Sequence, residues 1–353
     1  MTAATLSARA REAARTAAAH TRSAETERVL HPEVAQALVS AGFARHFVPA
    51  RWGGSAGGHL EATLATAAVG RSCASAAWCA SVIAYGSRMA LALPEQGRSD
   101  LWSAGPDTVV VAGLQPTGRT EPAPGGRRIS GRWSYVSAVA HCDWALVSAP
   151  VDEDGALDPG RRFFALPRAQ FTVEDTWHTL GMRGTGSNTV AVDDVFVPAH
   201  RTFRAEDLER PPVPLPAVAG LTFAPPLVGA AQAALAVAAQ ELPPSVELVR
   251  AAGDTRLALS LLTRVAANAD AHPAGERPDW QTWSLWDCAR AAELAKSAVD
   301  RLIEAMGTRA YADGHPVQQV WRDLRTGASH VRLRPELAAA ACYPALKDLH
   351  DPH

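Results

Sequence analysis

The sequence predicts an α+β fold in which a β domain lies between two helical regions. Ala-rich, apolar helical segments dominate residues 1–107 and return in residues 226–353, whereas short β-branched segments separated by Gly and Pro fill residues 108–203. Helices and strands that are grouped rather than alternating are typical of α+β proteins. We therefore expect an N-terminal helical domain, a middle antiparallel β-barrel or sandwich domain, a Pro-rich linker over residues 204–225 and a C-terminal helical bundle.

Four helical segments are predicted in the N-terminal region. Residues 2–26 are Ala-rich and periodic. Pro32 begins a second helix that ends near Gly42, because Pro is favoured in the first helical turn and Gly just after the last. The segments 60–69 and 75–93 are apolar enough to form buried helices.

The middle region reads as short strands. Residues 108–112 are β-branched, and Gly125-Gly126 separates them from residues 128–137, which we interpret as the return of a hairpin. Further strands are expected at residues 144–149, 162–166 and 188–197.

The C-terminal region is helical again. Helices are expected at residues 227–242, 247–271, 280–306 and 317–324. The segment Leu242-Pro243-Pro244-Ser245 breaks the first of these from the second, because Pro removes a helical hydrogen bond.

Composition excludes several classes of function. The chain has 353 residues, 47% of them hydrophobic and 20% charged, with a net charge of -2, so nothing in its charge favours nucleic acid or an anionic membrane as partner. Its five cysteines are scattered without a CxxC pair, which predicts neither a disulfide framework nor a metal site. We expect no signal peptide and no membrane span, and a cytoplasmic location.

Four segments of the sequence resemble the motifs of a known protein family. Residues 112–122 read Ala-Gly-Leu-Gln-Pro-Thr-Gly-Arg-Thr-Glu-Pro, residues 135–144 contain Ser137 and His141, and residues 177–188 read Trp-His-Thr-Leu-Gly-Met-Arg-Gly-Thr-Gly-Ser-Asn. Near the C-terminus, residues 322–331 begin Arg-Asp and end His-Val.

Together these segments resemble the acyl-CoA dehydrogenase superfamily, over about residues 30–335. That family has a Tyr-Glu-Gly after the Arg-Asp, and its Glu is the catalytic base; here the Tyr and Glu positions hold His330 and Val331. Valine cannot take a proton. The Pro-Thr-Gly and Thr-Gly-Ser forms, with the His, are similar to the branch of two-component flavin-dependent monooxygenases.

The resemblance implies a flavin site. Reduced flavin, as FMNH2 or FADH2, and O2 are the expected cofactors, and no metal is expected. In this family an Arg-Gln-Phe-Gly type segment binds the FAD pyrophosphate across subunits. The sequence lacks such a segment after residue 226, so the flavin could be FMN or FAD. Glycines in the first segment let the backbone approach a flat ring. The expected cofactor-binding residues are Gln115, Pro116, Thr117, Gly118, Trp133, Ser137, Trp177, Thr185 and Ser187.

Three residues are candidates for catalysis by the same resemblance. The Ser137 hydroxyl is expected near flavin N5, where a bond to N5–H of a C4a-hydroperoxyflavin slows loss of hydrogen peroxide. His330 stands at the family's catalytic position and could deprotonate a phenol or steer the hydroperoxide, and imidazole titrates near neutrality. His141 is either catalytic or structural.

Substrate contacts are expected from Tyr85, Ser87 and His330. In relatives a His on the helix before the β domain can contact a phenol; here Gly86 takes that place, between Tyr85 and Ser87. The substrate is therefore not necessarily a simple phenol.

The function predicted is the oxygenase component of a two-component monooxygenase of secondary metabolism. A separate NAD(P)H:flavin reductase is the expected partner, the substrate is an aromatic, polyketide-like or amine (amino-sugar) small molecule, and the assembly is a homotetramer. Two alternatives stay open. One is an acyl-CoA dehydrogenase-like enzyme whose base is relocated to Glu241 or Glu247; the other is a degenerate scaffold without redox activity.

Overall fold

The computed structural model of the protein describes residues 5–151, 160–209, 214–272 and 279–348. Within these ranges it has the predicted order of helices, strands and helices. Predicted positions 2–4, 210–213 and 349–353 lie outside the described residues, so the outer edges of the first helix, the linker and the last domain stay predictions.

Six α-helices form the N-terminal region, and Ala-rich faces pack them together. They are α1 (Leu6–Ala19), α2 (Thr21–Glu27), α3 (Pro32–Ala41), α4 (His59–Gly70), α5 (Ala74–Ala90) and α6 (Glu95–Leu101). The predicted helix over residues 2–26 is divided at His20, and α6 after Pro94 was not predicted. Gly42, with φ of 101°, ends α3 as expected.

Eight strands follow within the described residues of the β region. They are β1 (Val110–Gly113), β2 (Arg119–Ala123), β3 (Gly126–Val136), β4 (Trp144–Val151), β5 (Gly160–Pro167), β6 (Thr172–Glu174), β7 (Asn188–Pro198) and β8 (Thr202–Arg204). They form two four-stranded sheets, in the orders β1-β4-β5-β8 and β2-β3-β7-β6.

Two predictions about strand pairing were wrong. The hairpin partner of β3 is β2, not β1, and the wholly antiparallel arrangement fails because β1 pairs with β4 in parallel. The segment containing β2 has Pro122 and Glu121, which disfavour strand, and it was interpreted only as a loop. Pairing with β3 over five residue pairs overrides that weak propensity.

The C-terminal region contains α7 (Leu215–Val218), α8 (Ala224–Glu241), α9 (Val246–Ala271), α10 (Asp279–Met306), α11 (Pro316–Gly327) and α12 (Pro335–Asp348). As predicted, Leu242-Pro243-Pro244-Ser245 separates α8 from α9, and the Ser245 hydroxyl caps α9. Helix α8 crosses α4 so closely that a Cβ on Gly229 would clash with the Ala67 carbonyl oxygen.

The stretch Leu215–Glu241 corrects one sequence-based statement. It is long and apolar enough to cross a membrane by length and hydropathy, although no such stretch was expected. In the structure, 72% of its most apolar window is buried, and α8 packs against α4, α5, α9, α10 and α11. Its apolarity is accounted for by its position in the protein core.

Helix α5 connects the helical core to the β region. Fifteen of its seventeen residues are buried, and it packs against β1. At Gly86 a Cβ would clash with the Val110 carbonyl oxygen, so only glycine allows this approach.

Candidate active site

A cavity of about 570 Å³ lies where α5, the β sheets and the C-terminal helices meet. This volume is within the usual range for small-molecule sites, roughly 300–1,000 Å³. Aromatic and aliphatic side chains make up most of its wall, with a few hydroxyl, amide and cationic groups. Of the sequence-predicted residues, it brings together Tyr85, Gln115, Ser137, Trp177, Thr185, Ser187 and His330.

A chain of hydroxyl groups runs along one wall. Trp78 Nε1 donates to Ser137 Oγ at 3.1 Å, Ser137 Oγ lies 2.7 Å from Ser187 Oγ, and Ser187 Oγ lies 2.7 Å from Thr185 Oγ1. Thr185 Oγ1 donates its single proton to the Met182 carbonyl oxygen at 2.8 Å. Each hydroxyl has one proton, so Ser187 donates to Thr185 and Ser137 donates to Ser187.

The direction of this hydrogen-bond chain determines which hydrogen bonds Ser137 can still form. Its proton bonds Ser187, and one of its two lone pairs accepts from Trp78. The other lone pair has no partner among the described residues. Ser137 is therefore an acceptor, not a donor, for a group in the cavity.

Trp177 is held rigidly at the same wall. Its indole Nε1 donates to the Met182 carbonyl at 3.0 Å, and its main-chain N–H donates to Asn188 Oδ1 at 3.0 Å. Tyr135 meets the indole edge-on, with ring centroids 6.2 Å apart. The indole thus presents a fixed flat surface.

The turn before Met182 is anchored by α11. The main-chain N–H of Met182 donates to Asp323 Oδ1, and that of Gly181 donates to Thr326 Oγ1 at 3.0 Å. Asp323 is buried, and burial raises its pKa to about 7. The sequence identified Arg322-Asp323 only as a landmark; the structure shows that Asp323 holds the backbone that carries Trp177 and Thr185.

His330 stands just after α11 and is stacked on Phe223, with ring centroids 3.7 Å apart. The edge of its ring also meets Trp78 at 5.7 Å. Burial, with the nearby positive charge of Arg332, lowers its pKa to about 4. Its Nδ1 accepts a hydrogen bond from the main-chain N–H of Arg332 at 3.2 Å. The neutral ring therefore carries its proton on Nε2. The expected imidazole titration near neutrality is therefore wrong for His330.

Comparison with known proteins identifies the scaffold. Residues 2–96 match the family model of the acyl-CoA dehydrogenase N-terminal domain, and residues 243–335 match that of the acyl-CoA dehydrogenase C-terminal domain. The oxygenase subunit HsaA of a Rhodococcus jostii flavin-dependent monooxygenase is 30% identical over 352 residues, covering 90% of this chain and 92% of that protein. The chain belongs to the acyl-CoA dehydrogenase superfamily, in its branch of two-component flavin-dependent monooxygenases.

Solved structures agree with this assignment. The monooxygenase superposes on 3-HSA hydroxylase from Rhodococcus sp. RHA1 with a TM-score of 0.90 at 28% identity, covering 100% of this chain and 99% of that one. XiaF from Streptomyces sp., solved with FADH2 and glycerol, gives a TM-score of 0.89 at 27% identity, covering 98% and 96%. Another similar protein is the oxygenase component of an FADH(2)-dependent resorcinol hydroxylase from Rhizobium sp., 27% identical over 88% of this chain and 85% of that protein.

Four expected cofactor-binding residues of the monooxygenase do not line the cavity. Trp133 is fully buried, and its Nε1 donates to the Ser148 carbonyl at 2.7 Å. Gly118 packs closely on the Trp133 ring, and Thr117 Oγ1 donates to the Arg132 carbonyl at 2.6 Å. Pro116 is also absent from the cavity wall. In this structure, Trp133, Gly118 and Thr117 pack or brace the β2–β3 region.

The expected substrate residues on α5 are only partly available. Tyr85 lines the cavity, but its hydroxyl is hydrogen-bonded to His59 Nδ1 at 3.1 Å. Ser87 is fully buried and is not part of the wall. Gly86 does line the cavity, and its contact with β1 explains why a larger residue is not tolerated there.

His141 lies outside the cavity of the monooxygenase. Its Nε2 is 3.0 Å from the Leu30 carbonyl oxygen, and burial lowers its pKa. It connects the β region to the segment before α3. This position favours the structural alternative.

The carboxylates proposed for a relocated dehydrogenase base are also elsewhere. Glu241 faces His315 and Arg309 at 3.5 and 3.9 Å, and Glu247 pairs with Arg250 and Arg301. Neither lines the cavity, whereas Val331, at the family's Glu position, does.

Several wall residues were not singled out from the sequence. Trp78 belongs to an apolar helical stretch that was interpreted only as core, Phe223 belongs to the predicted linker, and Arg161, Arg332 and Arg334 belong to segments without a recognisable motif. The Arg-rich segment after His330 was a usable signal, because Arg332 and Arg334 follow the predicted catalytic position directly.

Proposed function

We propose that this monooxygenase is the oxygenase component of a two-component system. It would receive reduced flavin from a separate NAD(P)H:flavin reductase and hydroxylate an aromatic, polyketide-like or amine small molecule. The names of its relatives support the division of labour, because HsaA and the resorcinol hydroxylase are described as an oxygenase subunit and an oxygenase component. No nicotinamide-binding Gly motif follows a strand in the sequence.

The wall residues fit a flavin ring. Trp177 offers a fixed flat surface, and Gln115 offers amide hydrogen-bonding groups. The Thr185 and Ser187 side chains line the same cavity. FMNH2 and FADH2 both present the same ring to this wall. When bound, reduced flavin would supply the oxidising chemistry by reacting with O2 at C4a.

The observation that carries the proposal is the direction of the hydroxyl chain. The Ser137 proton points toward Ser187, so the free lone pair of Ser137 can accept the N5–H of the flavin. Ser137, which has no spare proton of its own, would accept a hydrogen bond from N5–H and keep that proton on N5, which would slow the release of hydrogen peroxide.

His330 would act as a hydrogen-bond donor. Its Nδ1 already accepts a hydrogen bond from the main-chain N–H of Arg332, and its lowered pKa leaves the ring neutral near pH 7. The Nε2–H can then hold the substrate oxygen or the distal oxygen of the hydroperoxide in place. This role replaces the expected general base, because the ring nitrogen that accepts protons already has a donor.

The cavity also protects the reaction from water. Phe223, Trp78, Met182 and Phe163 supply apolar surface around the polar groups. Exclusion of water strengthens the hydrogen bonds inside and limits hydrolytic side reactions.

Rapid mixing tests this function. The protein is loaded anaerobically with FMNH2 or FADH2 and mixed with O2, while the C4a-hydroperoxyflavin absorbance is followed. We expect an intermediate that outlives the adduct of free flavin. Immediate release of peroxide with no intermediate would contradict the proposal. Reduction of bound flavin by an acyl-CoA would instead support the dehydrogenase-like alternative. Failure to bind flavin in either redox state would support the degenerate scaffold without redox activity.

A further inference from the structure

Three arginines line the active-site cavity. Arg161 comes from β5, and Arg332 and Arg334 come from the segment between α11 and α12; all three line the wall. Among the described wall residues, the only carboxylate is that of Glu209, which is exposed, as Arg334 also is. The described wall therefore carries more positive than negative charge.

Arg161 is held in place before any ligand arrives. Its guanidinium stacks on the Phe163 ring, 4.9 Å from the centroid, and donates to the Leu114 carbonyl and to Ser148 Oγ. All of these partners are neutral, and the buried Nε has no hydrogen-bond partner. A guanidinium fixed by neutral groups keeps a positive charge that none of these partners balances.

The other two arginines lack acidic partners as well. In the described part of the chain, no Asp or Glu forms an ion pair with Arg161, Arg332 or Arg334, although most other arginines there do pair. Arg332 is near enough to Arg161 for its charge to add to burial in lowering the Arg161 pKa. Two like charges close together and unpaired are costly unless something negative completes the group.

We propose that Arg161, Arg332 and Arg334 form an anion subsite that binds a carboxylate of the substrate. The inference rests on the proposed function, because it assigns the substrate class of that same cavity: an aromatic or amine substrate that carries an acidic group. Arg332 follows His330 by two residues in one turn. An acid held by Arg332 therefore keeps the rest of the molecule beside His330, where oxygen transfer is proposed.

A flavin phosphate has the same chemistry as a substrate anion and could use the same arginines. The two sources are separable, because a phosphate site would affect flavin affinity and a substrate site would affect only the affinity for the acid. Binding can be measured on the flavin-free protein without O2, so this test does not depend on whether the oxygenase chemistry itself is correct.

Isothermal titration with two matched probes tests the subsite. The probes are 4-hydroxyphenylacetate and its neutral amide, 4-hydroxyphenylacetamide, which have almost the same shape and differ in charge. We expect wild type to bind the acid about tenfold more tightly or better, as one charge-assisted hydrogen bond suggests, and the preference to shrink with added KCl. An equal affinity for acid and amide, or no binding of either probe at millimolar concentration, would overturn the proposal.

Variants then assign the effect to residues. Arg161→Met and Arg332→Met should each lose most of the preference for the acid while binding the amide as wild type does, and Arg161→Lys should retain part of it. Arg162→Met is the matched control, because adjacent strand residues face opposite sides and Arg162 is not part of the cavity wall. Unchanged amide binding shows that the variants are folded.

FMN and FAD titrations form the second arm. If the subsite serves the substrate, Arg161→Met and Arg332→Met bind both flavins within about twofold of wild type. If they instead weaken flavin binding and leave the acid preference intact, the cluster is a flavin phosphate site and the proposal is wrong.

Discussion

The carboxylate of Asp323 accepts a hydrogen bond from the main-chain N–H of Met182, 141 residues earlier in the chain. Met182 O in turn accepts from both Trp177 Nε1 and Thr185 Oγ1, so one buried carboxylate supports the whole flavin-facing turn. The C-terminal helices thereby set the geometry of a wall that belongs to the β region.

Asp323→Asn should change how stability depends on pH. Burial raises the pKa of Asp323 from 3.8 to about 7, so the folded protein keeps a proton that the unfolded chain releases near pH 4. Its stabilising contribution is complete below about pH 4 and is lost as pH rises through about 7. The thermal midpoint of wild type should fall relative to Asp323→Asn across that window. The control Asp175→Asn removes a carboxylate whose pKa Arg28 holds low, so the difference between its thermal midpoint and that of wild type should stay constant between about pH 4 and 7. If the thermal midpoints of wild type and Asp323→Asn change in parallel with pH, the assignment is wrong.

Ser137→Ala should shorten the life of the oxygenated flavin. The variant removes the lone pair proposed to hold the N5 proton, and one hydrogen bond of about 1 kcal/mol corresponds to at most roughly tenfold in rate. Rapid-mixing absorbance and a peroxide assay measure the decay and the uncoupling. Ser134→Ala is a control on the same wall, since Ser134 accepts only a 3.3 Å bond from Thr189. Equal decay in wild type and Ser137→Ala would remove Ser137 from this role.

His330→Ala should lower product formation by about a hundredfold, the usual cost of losing one positioned donor, while flavin binding stays near normal. Because the pKa of His330 is lowered to about 4, the pH profile of the remaining activity should keep its shape between about pH 6 and 8. His330→Asn, which retains an N–H donor, should recover part of the activity. A neutral-pH step that vanishes in His330→Ala would instead show that the ring titrates as a base.

The homotetramer stays a prediction, and exposed apolar residues on α9 give it a test. Val246, Val249 and Leu257 are 59%, 71% and 52% exposed and lie at helical spacing along one face. Exposed stripes of this kind mark interaction sites. Val249→Glu with Leu257→Glu should shift the sedimentation coefficient toward a smaller species. A wild type that sediments as a monomer would exclude the assembly.

Local chemistry allowed much of the fold to be predicted from the sequence. Pro32 and Gly42 bound α3, and the prolines after Leu242 divide α8 from α9, because these residues act on their own backbone. The parallel pairing of β1 with β4 could not be predicted, because a short apolar strand carries no information about its partner.

The sequence alone determined the scaffold and the absence of a base at Val331, because residue identity decides whether a proton can be taken. The tertiary structure decided what the remaining groups do. The direction of the hydroxyl chain depends on contacts between Ser137 and Ser187, 50 residues apart, and the neutral state of His330 depends on burial beside Phe223 and Arg332. Hydrogen-bond direction and pKa are properties of an environment, and only folding brings that environment together.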